Sequence, residues 1–175
     1  MMTQTTKRAM TSYKISTPPI QSDSRFSMTE HEMGGTYVFW QPTDSVGIST
    51  VDKQHQKLFF LINSLYTAIC SNPHNIKIEK AIGELVYYTE YHFETEKSYL
   101  KHLPDFAAHE IQHADFSKKI LHFVDEYQSQ PQEILLYDMI SFLSAWLRNH
   151  IQGTDIQQFT LYQQKHTPPS SNNTN

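Results

Sequence analysis

The sequence predicts an all-α protein: an up-down-up-down antiparallel four-helix bundle with an N-terminal extended arm. Three observations support this fold class. Four amphipathic stretches, each roughly 20 residues long, carry apolar side chains at steps of three and four. Short breaks separate them, at Asn72-Pro73, Leu103-Pro104-Asp105 and Ser129-Gln130-Pro131. The chain has only 5 Gly, too few for a β-sandwich full of tight turns or for a glycine-rich phosphate loop.

Composition narrows the class of protein. The 175 residues carry a net charge of −4, from 14 basic and 18 acidic side chains, without a dense Lys/Arg cluster, so nothing favours a nucleic-acid partner. No apolar run reaches the roughly 18–20 residues of a membrane span, and the N-terminus lacks the apolar stretch of a secretory signal. The single Cys70 excludes an intramolecular disulfide and a thiolate zinc site. Because it lies on an apolar helical run, we expect a buried, inert thiol. We therefore predict a soluble cytoplasmic protein with no membrane partner.

The chain divides into three predicted segments. Residues 1–36, rich in Thr, Ser, Gln and Pro, form a flexible extension that includes a solvated His31. Residues 37–164 form the helical bundle, and their aromatic lead-in should wrap across the helices as the extended arm. Residues 165–175 form a disordered tail that includes His166.

Helix limits follow from capping residues and prolines. The four helices are expected to begin after Ser49-Thr50, near Ile76, near Phe106 and near Gln132, and to end before Asn72, at Leu100, at Gln128 and near Tyr162. Three further histidines fall outside the inner faces of these helices. We expect His74 and His122 to be exposed and give His102, at a frayed helix end, no role.

Each inner face carries at least one ionisable residue. His92 with Glu96, and His109 with His113, are spaced i, i+4, which places each pair on one helix face with Cβ atoms about 5–6 Å apart. The remaining members are His55 on the first helix and His150 and Asp155 on the fourth. A lone core histidine is usually a hydrogen-bonded structural residue. Two uncompensated carboxylates in a small core would be very costly, and a bound cation removes that cost.

The ligand types indicate which metal would bind. Seven ligands exceed the four of a tetrahedral zinc site, and five imidazoles are unsuited to magnesium or calcium. Five nitrogens with two carboxylates able to bridge suit two first-row ions, such as iron or manganese. The Glu-x-x-His repeats of the common carboxylate-bridged di-iron bundles are absent from this sequence.

These motifs resemble the hemerythrin family, and within it the bacteriohemerythrins. The resemblance covers roughly residues 38–162 and rests on Val46-Gly47-Ile48 leading to Val51-Asp52-Lys53-Gln54-His55, His92-Phe93 with Glu96, His109-x-x-x-His113 with Phe116, and Trp146 followed by His150-Ile151 and Asp155. It implies an oxo- or hydroxo-bridged pair of non-heme irons. His109, His113 and His150 would bind one iron, His55 and His92 the other, and Glu96 and Asp155 both.

Two departures and one spacing are notable. The family often has an acid where Lys97 stands and a methionine where Leu100 stands, and neither residue is a metal ligand. The five-residue step from His150 to Asp155 does not place both side chains on one face of an ideal helix, so we expect a local distortion there. The family shares this five-residue spacing.

The resemblance implies reversible dioxygen binding, for oxygen storage, delivery or sensing. Counting ligands leaves one open position, on the iron held by His55 and His92. Apolar side chains within one turn of the ligands are expected to line it, namely Leu58, Phe59, Phe93, Leu100, Phe116, Leu147 and Ile151. The alternatives are a di-iron enzyme acting on oxygen, peroxide or nitric oxide, and an iron or redox sensor. Dioxygen and an oxygen-consuming enzyme are the expected partners of a monomer, with an oligomer as the alternative.

Overall fold

The fold is an all-α four-helix bundle, as predicted, in a computed structural model that describes residues 37–71, 76–130 and 133–166. Its helices are α1 (Ser49–Ser71), α2 (Ile76–Leu100), α3 (Phe106–Ser129), α4 (Glu133–His150) and α5 (Ile156–His166). Helix α1 packs against α2 and α4, and α3 packs against the same two helices, which is the neighbour pattern of an up-down-up-down bundle. Within the described ranges, no helix is long and apolar enough to cross a membrane.

The fourth rod of the bundle is made of α4, a π-helical turn and α5. The turn spans Ile151–Asp155, and the residues on either side of it keep right-handed helical dihedrals, so the rod continues through it. A π turn holds one more residue than an α turn. The distortion expected between His150 and Asp155 is therefore confirmed.

The predicted arm, residues 37–48, lies across α1 and α4. The side-chain oxygen of Asn63 accepts hydrogen bonds from the backbone N–H groups of Tyr37 (2.9 Å) and Val38 (3.0 Å). Arg148 on α4 donates to the backbone oxygen of Phe39. Backbone atoms of the arm thus bind side chains of both helices, and these hydrogen bonds do not depend on which side chains the arm carries.

The start of α1 differs from the prediction by two residues. Ser49 and Thr50 lie inside the helix, and the first backbone bond runs from the N–H of Asp52 to the carbonyl oxygen of Ile48 (2.9 Å). The Asp52 carboxylate accepts hydrogen bonds from the hydroxyl of Ser45 (2.7 Å) and from the backbone N–H of Val46 (2.8 Å). This carboxylate in the first helical turn also favours the positive end of the helix dipole.

Cys70 is exposed, so the predicted burial of its thiol was wrong. The buried position is the preceding one, Ile69, which is fully buried. One residue along an α-helix turns the side chain by about 100°, and that rotation carries Cys70 to the outer surface of α1.

The last helix is longer than predicted. His166, assigned to a disordered tail, ends α5, and its ring stacks on Tyr162 with centroids 4.2 Å apart. His122 is exposed, as expected, and so is His102. The predictions for residues 1–36, including His31, and for His74 and residues 167–175 lie outside the described residues.

Among the residues that the structure describes, the buried apolar side chains form two clusters. The larger cluster fills most of the bundle and includes Leu58, Phe93, Phe116 and Leu147. The smaller cluster lies at one end and consists of Val46, Val51, Leu100, Leu103, Phe106 and Phe159. Each of the four helical segments of the bundle contributes to both clusters, and the seven predicted ligand residues lie between the two.

Candidate metal centre

The structure brings all seven predicted ligand residues together in one buried layer between the two apolar clusters. None of the seven is more than 6% exposed, and His55, Glu96 and Asp155 are completely buried. Their ligand atoms form two overlapping groups, His55, His92 and Glu96 in one, and Glu96, His109, His113, His150 and Asp155 in the other. The seven positions are adjacent because the inner stripes of four neighbouring helices meet at this level.

Three imidazoles converge on one point. His109, His113 and His150 are here called the three-histidine group. Nε2 of His109 lies 2.9 Å from Nε2 of His113 and 3.0 Å from that of His150, and the last two atoms are 2.8 Å apart. Adjacent donors on a six-coordinate ion, at about 2.1 Å from it, are about 3.0 Å apart, whereas tetrahedral donors would be about 3.4 Å apart. The spacing therefore fits three neighbouring positions of an octahedral ion.

Each carboxylate is directed towards both sets of histidines. His55 and His92 are here called the two-histidine group. Oε2 of Glu96 lies 3.2 Å from Nε2 of His113, while its Oε1 lies 3.5 Å from Nε2 of both His55 and His92. Asp155 repeats this arrangement. Its Oδ1 lies 3.1 Å from Nε2 of His109 and of His150, and its Oδ2 lies 3.4 Å from Nε2 of His55.

Many polar atoms of this layer lack ordinary hydrogen-bond partners. Both oxygens of Glu96, both oxygens of Asp155 and both ring nitrogens of His55 are buried without a hydrogen bond. Buried polar groups of this kind are normally satisfied, because each unsatisfied one costs free energy. The atoms left over are nitrogen and carboxylate lone pairs, which are the donors that first-row metal ions take. The donor set thus fits a pair of such ions.

The carboxylates stay ionised despite complete burial. Burial opposes ionisation, but the facing imidazoles outweigh it, so the pKa of Glu96 is held well below its ordinary value and that of Asp155 is also lowered. Ionised oxygens are the form that binds a metal.

Four of the imidazoles fall into two groups with opposite pKa shifts. Burial lowers the pKa of His55, but its contacts with Asp155 and Glu96 outweigh burial and raise the pKa to about 9, and the same balance raises the pKa of His109 to about 9. His92 faces Glu96 alone at short range, so burial dominates and its pKa falls to about 3. Burial likewise lowers the pKa of His113.

The chain was compared with protein families and with known proteins. Residues 46–161 match the family model described as the hemerythrin HHE cation binding domain. The chain belongs to the hemerythrin family. The matched range contains all seven residues of the buried layer and excludes most of the arm.

Named relatives agree with this family. A bacteriohemerythrin of Clostridium acetobutylicum is 29% identical over 121 residues, which are 66% of this chain and 94% of that protein. A bacteriohemerythrin of Stenotrophomonas maltophilia is 31% identical over 118 residues, 66% of this chain and 75% of that protein. A hemerythrin-like protein of Naegleria gruberi is 28% identical over 120 residues, 67% of this chain and 87% of that protein.

Two glutamines to which the sequence analysis gave no role contact the buried layer from outside. Oε1 of Gln54 lies 3.2 Å from Nδ1 of His92, and Oε1 of Gln112 lies 2.9 Å from Nδ1 of His150. Each histidine group therefore has one member with an amide partner. Both contacts join different helices, so no local spacing signals them.

Aromatic rings cover two of the imidazoles. Phe93, a predicted lining residue, stacks on His113 with centroids 3.6 Å apart and planes 7° apart, and Trp146 stacks on His150. The other predicted lining residues, Leu58, Phe59, Leu100, Phe116, Leu147 and Ile151, are all buried. Trp146 precedes His150 by four residues, so the i, i+4 rule could have identified this contact from the sequence.

Proposed function

We propose that this protein binds dioxygen reversibly at a non-heme di-iron centre. The observation that carries the proposal is the way in which Glu96 and Asp155 each direct one oxygen to the three-histidine group and the other to the two-histidine group. Such carboxylates can bridge two ions and hold them close together. The family match supports iron as the metal.

The two histidine groups offer unequal numbers of donors. With both carboxylates shared, the two-histidine group supplies one nitrogen fewer than the three-histidine group, so His55 and His92 would hold the ion with an open position. When bound, the iron pair supplies the two electrons and the open position that dioxygen binding requires.

The chain's own residues control what reaches the pair. The layer is closed on one side by the larger apolar cluster and on the other by the smaller one, so bulk water and polar substrates are excluded. A small apolar diatomic is the class of ligand that such surroundings admit. We therefore favour oxygen storage, delivery or sensing in the cytoplasm, with an oxygen-consuming enzyme as the recipient.

Iron content and the visible spectrum test the proposal together. We expect two irons per chain and an oxygen-dependent absorption band that disappears under argon and returns in air. Two irons with steady consumption of oxygen, peroxide or nitric oxide in the presence of a reductant would instead indicate a di-iron enzyme. A spectrum that stays oxidised without turnover would indicate a redox sensor, and one zinc or no metal would refute the proposed site.

A further inference from the structure

A single amide oxygen contacts residues near both ends of the segment from His150 to Asp155, two of the proposed ligands. Oε1 of Gln112, on α3, lies 2.9 Å from Nδ1 of His150 and accepts a hydrogen bond from the hydroxyl of Thr154 at 3.1 Å. Thr154 immediately precedes Asp155 within the π turn. Gln112 therefore connects α3 to the residue that begins this segment and to the neighbour of the residue that ends it.

The contact with His150 selects one form of the imidazole. An amide oxygen can only accept a hydrogen bond, so Nδ1 of His150 must carry the proton. Its Nε2 is then a lone pair directed into the ligand layer, beside Nε2 of His109 and His113. A partner on the outer ring nitrogen is how proteins fix the orientation of a metal-binding histidine.

The contact with Thr154 holds the π turn. Gln152 and Gly153, at the centre of the turn, are exposed, and a Cβ added to Gly153 would meet no atom within 4 Å. Apart from the hydrogen bond that Gln152 donates to Asp44 (2.8 Å), the middle of the turn therefore has little packing of its own to hold it. Anchoring Thr154 to α3 limits the movement of the adjacent Asp155.

We propose that Gln112 is a positioning residue that orients His150, fixes the turn carrying Asp155, and keeps the reduction potential of the iron pair higher than an anionic partner would. The inference rests on the proposed function, because it concerns the iron that these ligands would hold. A carboxylate in the same place would make the imidazole more electron-donating and would favour ferric iron. The chain uses a neutral amide here and, through Gln54, also at His92.

Three variants separate these roles. Gln112→Ala removes both hydrogen bonds, Thr154→Val removes only the bond to the turn, and Gln112→Glu keeps both acceptor contacts while adding charge. Gln128→Ala is the matched control, since Gln128 is an exposed glutamine at the far end of the same helix. The measurements on the iron-loaded full chain are the rate of iron loss to a chelator and the reduction potential from a spectroscopic titration.

We expect iron loss about tenfold faster in Gln112→Ala, an intermediate rate in Thr154→Val, and the wild-type rate in Gln128→Ala. Gln112→Glu should keep iron like the wild type and have a lower potential, a shift that a purely structural role would not produce. Equal rates in Gln112→Ala and Gln128→Ala, or an unchanged potential in Gln112→Glu, would overturn the proposal.

A second readout does not require iron. Imidazole nitrogen chemical shifts of the metal-free full chain should show His150 protonated at Nδ1 in the wild type and in Gln112→Glu, but as a tautomer mixture in Gln112→Ala. A mixture already present in the wild type would refute the role of Gln112. A wild-type chain that takes up no iron would refute the proposed function instead, and these shifts would still decide the role of Gln112.

Discussion

The indole of Trp146 lies flat on the imidazole of His150, with ring centroids 4.3 Å apart and planes 14° apart. The same indole packs against Phe116, at 4.1 Å between centroids. With Gln112 at the edge of the ring and Trp146 on its face, His150 is constrained both by a hydrogen bond and by packing.

Replacing Trp146 should therefore weaken both the fold and the site. Because Trp146 is only partly buried, we expect Trp146→Ala to lower the free energy of unfolding by about 2–4 kcal/mol, somewhat less than a fully buried tryptophan would. Trp146→Phe, which keeps a ring over His150, should cost less than half as much. Urea denaturation measures both, and equal losses in the two variants would contradict a stacking role.

Glu96 should control the number of irons bound. Glu96→Ala removes the proposed bridge between the two histidine groups, so we expect one iron per chain or none, with only a moderate loss of stability. Glu110→Gln, at an exposed carboxylate that pairs with Lys97, is the control and should bind two irons. Retention of both irons by Glu96→Ala, measured by elemental analysis, would refute the bridging assignment.

The stability of the metal-free chain should pass through a maximum near pH 6.5. His55 and His109 have pKa values raised to about 9, so the stability that they contribute is complete below pH 6.5 and is lost as the pH rises through 9. His92 has a pKa lowered to about 3, so its burial costs stability increasingly as the pH falls below 6.5. The lowered carboxylate pKa values add to the loss at acid pH.

Urea denaturation between pH 5 and 9 tests this prediction. His55→Gln should flatten the alkaline side of the curve, whereas His122→Gln, at an exposed position, should leave the curve unchanged. Iron loading should remove the alkaline decline, because the bound metal requires neutral imidazoles. A metal-free curve that rises from pH 6.5 to 9 would show that the charge pattern of the layer has been assigned wrongly.

Asp44 should stabilise the arm and the π turn together. This fully buried carboxylate accepts hydrogen bonds from the side chain of Gln152 (2.8 Å) and the backbone N–H of Gln41 (2.8 Å), and it lies 3.4 Å from Arg148. Asp44→Ala leaves these donors unpaired, so we expect a loss of about 2–4 kcal/mol.

Hydrogen exchange locates that effect. In Asp44→Ala, faster exchange is expected in residues 37–48 and in the π turn, because both contact this carboxylate. Asp138→Asn, at an exposed position on α4, should exchange like the wild type. Faster exchange confined to the arm would contradict a link between Asp44 and the turn.

Local spacing was enough to predict which ionisable residues lie together in the buried layer. The i, i+4 pairs His92–Glu96 and His109–His113 lie on the core-facing stripes of their helices, and the structure places them inside the bundle. The five-residue step from His150 to Asp155 was equally informative. On an α-helix it would leave the two side chains about 140° apart, so both can face inward only if the helix widens, as the π turn does.

Only the tertiary structure decided which residues support that layer. Gln112 and His150 are 38 positions apart, and Asp44 and Gln152 are 108 apart, so their pairing depends on how the helices and the arm are placed against one another. Gln112 is also exposed and polar, as most outer helical residues are, and nothing in its local spacing marks it. By itself, the sequence determined which side chains of the inner stripes face the core, with Cys70 misassigned, because helical periodicity is a local property. The partners of those side chains were decided by packing, because contacts between helices join residues that no sequence period relates.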